Sequence, residues 1–131
     1  MKLDHIGIAT RKIDQAMLIW RDTLGLEVDA AEEIAEQGVR VEMLRLGETQ
    51  LELLEPLSND SPVGRFLEKR GPGIHHIAIR VDDIRAELAK LKTKGARLID
   101  ETPRVGVGGC LVAFIHPTSA GGVLLELVQR Q

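Results

Sequence analysis

Residues Ile74-His75-His76-Ile77-Ala78-Ile79-Arg80-Val81 read IHHIAIRV, and residues Leu3-Asp4-His5-Ile6-Gly7-Ile8-Ala9 read LDHIGIA. Each places a histidine at the head of a run in which branched apolar residues alternate with small or polar ones. That period of two marks a strand with one face in a core. Laid over one another, DHIGIA and HHIAIR bring His5 onto His76. Further along, TQLELLE (49–55) lies over VLLELVQ (123–129) and brings Glu52 onto Glu126. Each half of the chain therefore opens with a His and closes with a Glu.

Between these landmarks one element order is read twice. After the strand at 3–9, Ile13, Ala16, Met17, Trp20 and Leu24 recur at helical spacing, with Thr10 as the expected N-cap and Gly25 as the stop. A Glu-rich strand at 26–35 reads as an edge. Strands at 39–46 and 49–55 flank a Gly47-Glu48 turn. Loop chemistry at 56–62 opens a short helix at Pro62, and Gly71-Pro72-Gly73 ends it. The pattern then restarts. A strand at 74–81 precedes a helix capped by Asp82 or Asp83, with Ile84, Leu88 and Leu91 on one face and Gly95 at its end. A short strand at 97–101, a glycine-rich loop at 105–109, a strand at 110–115, a turn at 116–121 and a strand at 122–128 complete the half. A repeat of this size sets the architecture. The predicted fold is α+β: two β-α-β-β-β modules forming an open, half-closed eight-stranded barrel around a metal site. The chain is one domain, 1–131, with module one at about 1–56, a connector helix at about 57–72 and module two at about 73–131.

Composition narrows the function. The net charge is -3 and there is no block of Lys or Arg, which argues against nucleic acid or an anionic membrane as partner. No apolar run approaches the roughly 20 residues of a membrane span. The first residues enter strand pattern directly, so no signal peptide is expected. Cys110 stands alone, which excludes an internal disulfide and fits a reducing, cytoplasmic setting. Trp20, Phe66 and Phe114 are the aromatic residues, too few for a base-stacking platform.

Strand parity directs the repeated residues. Ile6 and Ile8 share one face of the first strand, and His5, Gly7 and Ala9 the other. Ile77, Ile79 and Val81 oppose His76, Ala78 and Arg80; Leu51 and Leu53 oppose Glu52; Leu125 and Leu127 oppose Glu126. The apolar sets can build the contact with the helices, which leaves two imidazoles and two carboxylates on the concave face. Such mixed N/O donors suit Co, Ni, Mn, Fe or Zn, and leave two positions of a six-coordinate ion open for a chelating substrate. A single strand His is more often packing than ligand, and a strand Glu more often a solvated side chain. Four at repeat-equivalent positions favour the metal. Other residues read as structural. His75 shares parity with Ile77 and faces the helix side, His116 sits in a His-Pro turn, and Asp82-Asp83 caps a helix. Cys110 lacks a basic neighbour. Gly106, Gly108 and Gly109 lack the Gly-Lys-Ser/Thr ending of a phosphate loop and read as a flap. Glu42, one strand before Glu52 across the turn, is expected on the same face as Glu52, either as a general base beside the metal or as a solvated strand Glu.

At these residues the chain resembles the vicinal oxygen chelate superfamily, which includes glyoxalase I, extradiol dioxygenases and fosfomycin-resistance proteins. LDHIGIA, EPLSNDSPVGRFLEKRGPGIHHIAIRVDDI and FIHPTSAGGVLLELVQ are most similar to the methylmalonyl-CoA epimerase family. The resemblance implies metal ligands at His5, Glu52, His76 and Glu126, where some members carry Gln at the position of Glu52. It implies proton transfer by Glu42 and Glu126, a divalent ion such as Co2+ (Mn2+, Ni2+ or Zn2+ also serving), an acyl-CoA substrate and a homodimer. The implied reaction is epimerisation at C2 of methylmalonyl-CoA through a metal-stabilised enolate, with one acid/base on each face. Glyoxalase I, or a non-catalytic small-molecule-binding resistance protein of the same fold, are the alternatives. The connector and the C-terminal segment favour the epimerase.

Overall fold

The computed structural model describes residues 1–131. Eight strands form one mixed sheet, and three helices accompany it. The strands are β1 (Lys2–Ala9), β2 (Val28–Ile34), β3 (Val39–Leu46), β4 (Thr49–Pro56), β5 (Gly73–Arg80), β6 (Arg104–Val105), β7 (Leu111–Ile115) and β8 (Leu125–Gln129). The helices are α1 (Ile13–Met17), α2 (Pro62–Arg70) and α3 (Ile84–Thr93). Strand order is β2-β3-β4-β1-β5-β8-β7-β6, so each predicted module supplies four adjacent strands. The chain divides into two compact units, His5–His75 and Met1–Asp4 with His76–Gln131, and the connector helix falls in the first.

In the unit His5–His75, β1 runs parallel to β4, and β4 pairs antiparallel with β3, which pairs antiparallel with β2. Ile13 and Met17 of α1 pack on Leu44, Leu51 and Leu53, joined by Ile6, Ile8 and Trp20. After Met17 the helix continues as a π-helical turn, Leu18–Thr23, which Gly25 closes at a positive φ of 83°. Thr10 is not the cap. Its hydroxyl donates to the Lys12 carbonyl, while the carboxylate of Glu55 accepts from the Ile13 amide at 2.7 Å and so satisfies a free N–H of the first turn. Ser61 caps α2, its hydroxyl accepting from the Gly64 amide at 3.1 Å.

In the other unit, β5 runs parallel to β8, β8 pairs antiparallel with β7, and β7 with β6. Ile84 and Leu88 of α3 pack on Val81, Ala113, Ile115 and Leu127, with Ile79 and Leu125 alongside. Asp83 caps α3, its carboxylate accepting from the Ala86 amide at 3.1 Å. On the opposite face Ala78, Cys110, Val112 and Val128 form a second small apolar cluster. The strand expected at 97–101 is reduced to one bridge, Leu98 to Ile115. The Asp100 carboxylate instead accepts from the Phe114 amide at 2.9 Å, and Arg104–Val105 provides the edge pairing with β7. The glycine-rich stretch is built in rather than open. The Gly106 amide donates to the Cys110 carbonyl at 2.8 Å, and the Cys110 thiol donates to the Val107 carbonyl at 3.1 Å.

Candidate metal centre

Each unit carries one buried His–Glu pair, and strand alternation explains both. On β1, Ile6 and Ile8 go to the α1 core, so His5 and Gly7 take the opposite face. On β4, Leu51 and Leu53 go to the same core, which puts Glu52 with His5. The parallel register sets Gly7 beside Glu52. His5 Nε2 lies 3.6 Å from Glu52 Oε1, and both residues are buried. In the second unit, Ile79, Leu125 and Leu127 face α3, which leaves His76, Ala78 and Glu126 on the other face, with Ala78 in register with Glu126. His76 Nε2 lies 3.2 Å from Glu126 Oε1, again with both buried. The small residues Gly7 and Ala78 thus occupy equivalent places next to the two carboxylates, as the repeat requires.

Within each unit the imidazole and carboxylate stand close enough to share a small ion, His5 Nε2 to Glu52 Oε1 at 3.6 Å and His76 Nε2 to Glu126 Oε1 at 3.2 Å. Around a divalent ion with ligand distances of about 2.0–2.2 Å, neighbouring donors stand about 3 Å apart and opposed donors about 4 Å. The separations found here are of that scale. Two neutral imidazoles with carboxylate oxygens suit a borderline or hard divalent ion, and ionised carboxylates buried without a cation would be costly. The donor set therefore fits a divalent metal. Glu126 enters through its contact with His76.

Two residues beside this set were not singled out in the sequence. Phe114 presents its ring edge-on to His76, with centroids 5.4 Å apart, and is the cross-strand partner of Glu126. Met43, 2% exposed, holds the equivalent place opposite Glu52. Each carboxylate is thus backed by an apolar neighbour that excludes water. The signal was available, since both lie directly across a hairpin from a candidate ligand, yet an apolar strand residue reads as ordinary core.

Glu42 is where the structure departs from expectation. The turn at Gly47-Glu48 pairs Leu46 with Thr49, and counting back pairs Glu42 with Leu53 and Met43 with Glu52. Residues directly opposite share a face, so Glu42 lies with Leu44 and Leu53 on the α1 side, away from Glu52. Its carboxylate meets Arg40 Nη2 at 3.5 Å, and the same Arg40 nitrogen reaches Asp14 of α1 at 4.0 Å. The expected shared face is therefore corrected: one pair off in register means the opposite side of the sheet.

The remaining polar residues fall into structural roles. The His75 ring packs edge-on against Phe66 of α2, with centroids 4.9 Å apart. His116 Nδ1 accepts from the Thr118 amide at 3.1 Å and orders its turn. Burial raises the Cys110 thiol above its ordinary pKa and keeps it un-ionised.

With this geometry in hand, comparison with known proteins is informative. The family model of the Glyoxalase/Bleomycin resistance protein/Dioxygenase superfamily matches residues 4–114. The chain is 42% identical over 129 residues to the mitochondrial methylmalonyl-CoA epimerase of Homo sapiens, covering 98% of this chain and 73% of that protein. It is 42% identical over 130 residues to the ethylmalonyl-CoA/methylmalonyl-CoA epimerase of Cereibacter sphaeroides, covering 98% and 97%. A substituted Streptomyces coelicolor methylmalonyl-CoA epimerase, solved in complex with 2-nitronate-propionyl-CoA, superposes with a TM-score of 0.95 at 42% identity, covering 98% of this chain and 94% of that one.

Proposed function

We propose, for a chain that belongs to the glyoxalase/bleomycin resistance protein/dioxygenase superfamily, that it interconverts the (2R) and (2S) epimers of methylmalonyl-CoA. The observation that carries this reading is the pair of buried His–Glu sets at repeat-equivalent positions, in a chain similar over almost its whole length to epimerases of that substrate.

His5, Glu52, His76 and Glu126 would hold one divalent ion, with Co2+ the first choice. Such an ion supplies Lewis-acid stabilisation of the negative charge that grows on the thioester oxygen as C2 loses its proton. The side chains do the rest. Phe114 holds the His76 ring edge-on and limits its rotation, while Met43 and Phe114 keep water from the carboxylates. Inversion at C2 needs one proton acceptor and one donor on opposite sides of the planar intermediate. Glu126 remains one of the pair. Because Glu42 points to the α1 side, Glu52 takes the second place. Glu52 and Glu126 hold matching positions in the two repeats, beside Gly7 and Ala78, and are assigned the two proton transfers at C2. One removes the C2 proton and the other returns a proton on the opposite side. The exchange is redox-neutral, and each turnover restores one carboxylate and one carboxylic acid with their roles reversed.

We also take the working form to be a homodimer. Leu18, Ile19 and Leu24, exposed along the first helical segment, are apolar surface that a second copy would cover. Sedimentation equilibrium against the 14.4 kDa protomer mass tests this directly.

The deciding experiment incubates metal-loaded protein with one methylmalonyl-CoA epimer in deuterated water. Inversion with deuterium entering C2 is expected, with little turnover of the hemithioacetal of methylglyoxal and glutathione. Turnover of the hemithioacetal with both epimers left unchanged would replace this reading with glyoxalase chemistry.

A further inference from the structure

β7 pairs with β8 over its whole length but with β6 only at Leu111 and Val112. Between that short pairing and the single bridge of Ile115 to Leu98, the outer side of Phe114 has no strand partner. A loop takes that place. The Phe114 amide donates to Asp100 Oδ2 at 2.9 Å, and the Phe114 carbonyl accepts from the amides of Ile99 at 2.9 Å and Asp100 at 3.1 Å. In an antiparallel strand the N–H and C=O of one residue point to the same side. Both main-chain groups of Phe114 therefore point away from β8 and are held by residues 99–100.

That arrangement bears on the side chain. Phe114 and Glu126 stand opposite one another without exchanging hydrogen bonds, the closer type of antiparallel pair, with Cα atoms about 4.5 Å apart. The Phe114 ring spans β8 to His76 on β5, which it meets edge-on at 5.4 Å and 84°. His76 is 3% exposed, so this ring is part of the wall that fixes the imidazole.

Asp100 is itself held. Arg104 of β6 closes on it as a fork, Nε to Oδ1 at 3.1 Å and Nη2 to Oδ2 at 3.3 Å. The Asp100 side chain is 14% exposed, so its charge-assisted bond to the Phe114 amide is only partly screened by solvent. The contacts run in one direction. Arg104 orients Asp100, Asp100 and Ile99 fix the main chain of Phe114, and the Phe114 ring limits the rotation of His76.

We propose that Asp100, oriented by Arg104, is a positioning residue for His76 that acts through the main chain and ring of Phe114. A ligating imidazole offers one nitrogen lone pair in the plane of its ring, so its orientation bears directly on affinity. Groups that orient such rings are typically worth about 10–100-fold in metal affinity. The part of His76 as a metal ligand rests on the function proposed above; its placement by Phe114 does not.

Two measurements on wild type and variants test this. In metal-free protein at one fixed pH, proton–carbon correlation spectra read the His76 ring signals, identified by their loss in His76→Ala and displaced by the ring current of Phe114. Titration calorimetry reads Co2+ affinity. Asp100→Ala is expected to move the His76 signals toward their positions in Phe114→Leu and to weaken Co2+ about 10-fold. Asp100→Asn keeps an oxygen for the Phe114 amide and should stay within about threefold of wild type, a loss below that of a whole hydrogen bond. Asp100→Ala added to Phe114→Leu should cost less than about twofold beyond Phe114→Leu alone, because residues that act through one another are not additive. Unmoved ring signals or unchanged Co2+ affinity in Asp100→Ala, an Asp100→Asn as weak as Asp100→Ala, or additive losses in the double variant would each overturn the proposal. If Asp100→Ala does not fold, Arg104→Gln releases the fork from its exposed end. It must then move the same signals and weaken Co2+ at least about twofold, and a silent Arg104→Gln overturns the proposal. A wild type that binds no Co2+ while Asp100→Ala still moves the ring signals overturns the metal centre and keeps the positioning. A wild type that binds Co2+ with ring signals indifferent to Asp100 does the reverse.

Discussion

Glu42 and Glu126 are both carboxylates on strands, and their surroundings assign them opposite parts. Glu126 is buried against His76, whereas Glu42 is turned toward Arg40 on the α1 face. Glu42→Gln should therefore leave metal content unchanged and turnover within about threefold of wild type. Glu126→Gln should lose the roughly 10²–10⁴-fold that a positioned acid/base contributes. Steady-state kinetics with metal analysis checks both, and a collapse of turnover in Glu42→Gln would restore it to the acid/base pair. His76→Ala removes an imidazole ligand and the partner of the Phe114 ring. It should lose bound metal and activity together, and full metal stoichiometry in the purified variant would remove His76 from the ligand set. Cys110 gives a pH signature. Burial raises its folded pKa, so the native state keeps the proton while the unfolded thiol ionises near its ordinary value of about 8.5. Below that pH the group has no differential effect; above it, stability falls until the folded pKa is passed, by at most about 1.4 kcal/mol per pH unit. Urea unfolding at pH 8 and pH 10 should show a steeper alkaline loss for wild type than for Cys110→Ala.

At the scale of elements, the start of α2 is closely packed against the preceding turn. A Cβ on Gly64 would lie 2.4 Å from the Ser58 carbonyl oxygen and 2.6 Å from that of Asn59, both backbone atoms that cannot swing away. Gly64→Ala should therefore destabilise by about 1–3 kcal/mol, the cost of overpacking a closed contact, despite alanine's better helix propensity. Chemical denaturation reads this directly, and a stabilised variant would show that the 58–59 turn yields. Element types were largely legible in the sequence because a period of two or 3.6 is a local property. Asp83 was readable, with Asp82, as a cap for the same reason: a capping side chain and its amide are three residues apart. The Glu55 carboxylate that serves α1 is 42 residues from the Ile13 amide it accepts from, which is why Thr10 took its place in the sequence reading. The strand expected at 97–101 failed differently. Its alternation is real, but the Asp100 carboxylate occupies the Phe114 amide that a full ladder would have used.

Across the whole molecule, a bound ion would tie stability to metal supply. The four candidate ligands are buried, and an ion that binds only the folded chain stabilises it by mass action, about 4 kcal/mol at a thousandfold excess over Kd. Exhaustive chelation should lower the melting temperature by several degrees and abolish epimerisation, with Co2+ restoring both. A melting temperature indifferent to chelator and to Co2+ would argue against the site. The repeat, the two β-α-β-β-β orders and the candidate ligand positions were determined by sequence alone, because duplication writes the same short-range pattern twice and strand parity then sorts its residues by face. Parity is unforgiving as well as informative. Glu42 was assigned to the wrong side because a single step of register exchanges the two faces of a strand, although the two-residue turn already implied its pairing with Leu53. Tertiary structure alone brought Asp4 to Arg80 and Arg130, across separations of 76 and 126 residues, and set Phe114 against His76. Those contacts depend on which strands become neighbours, a choice made by burial of the whole chain and written in no local period.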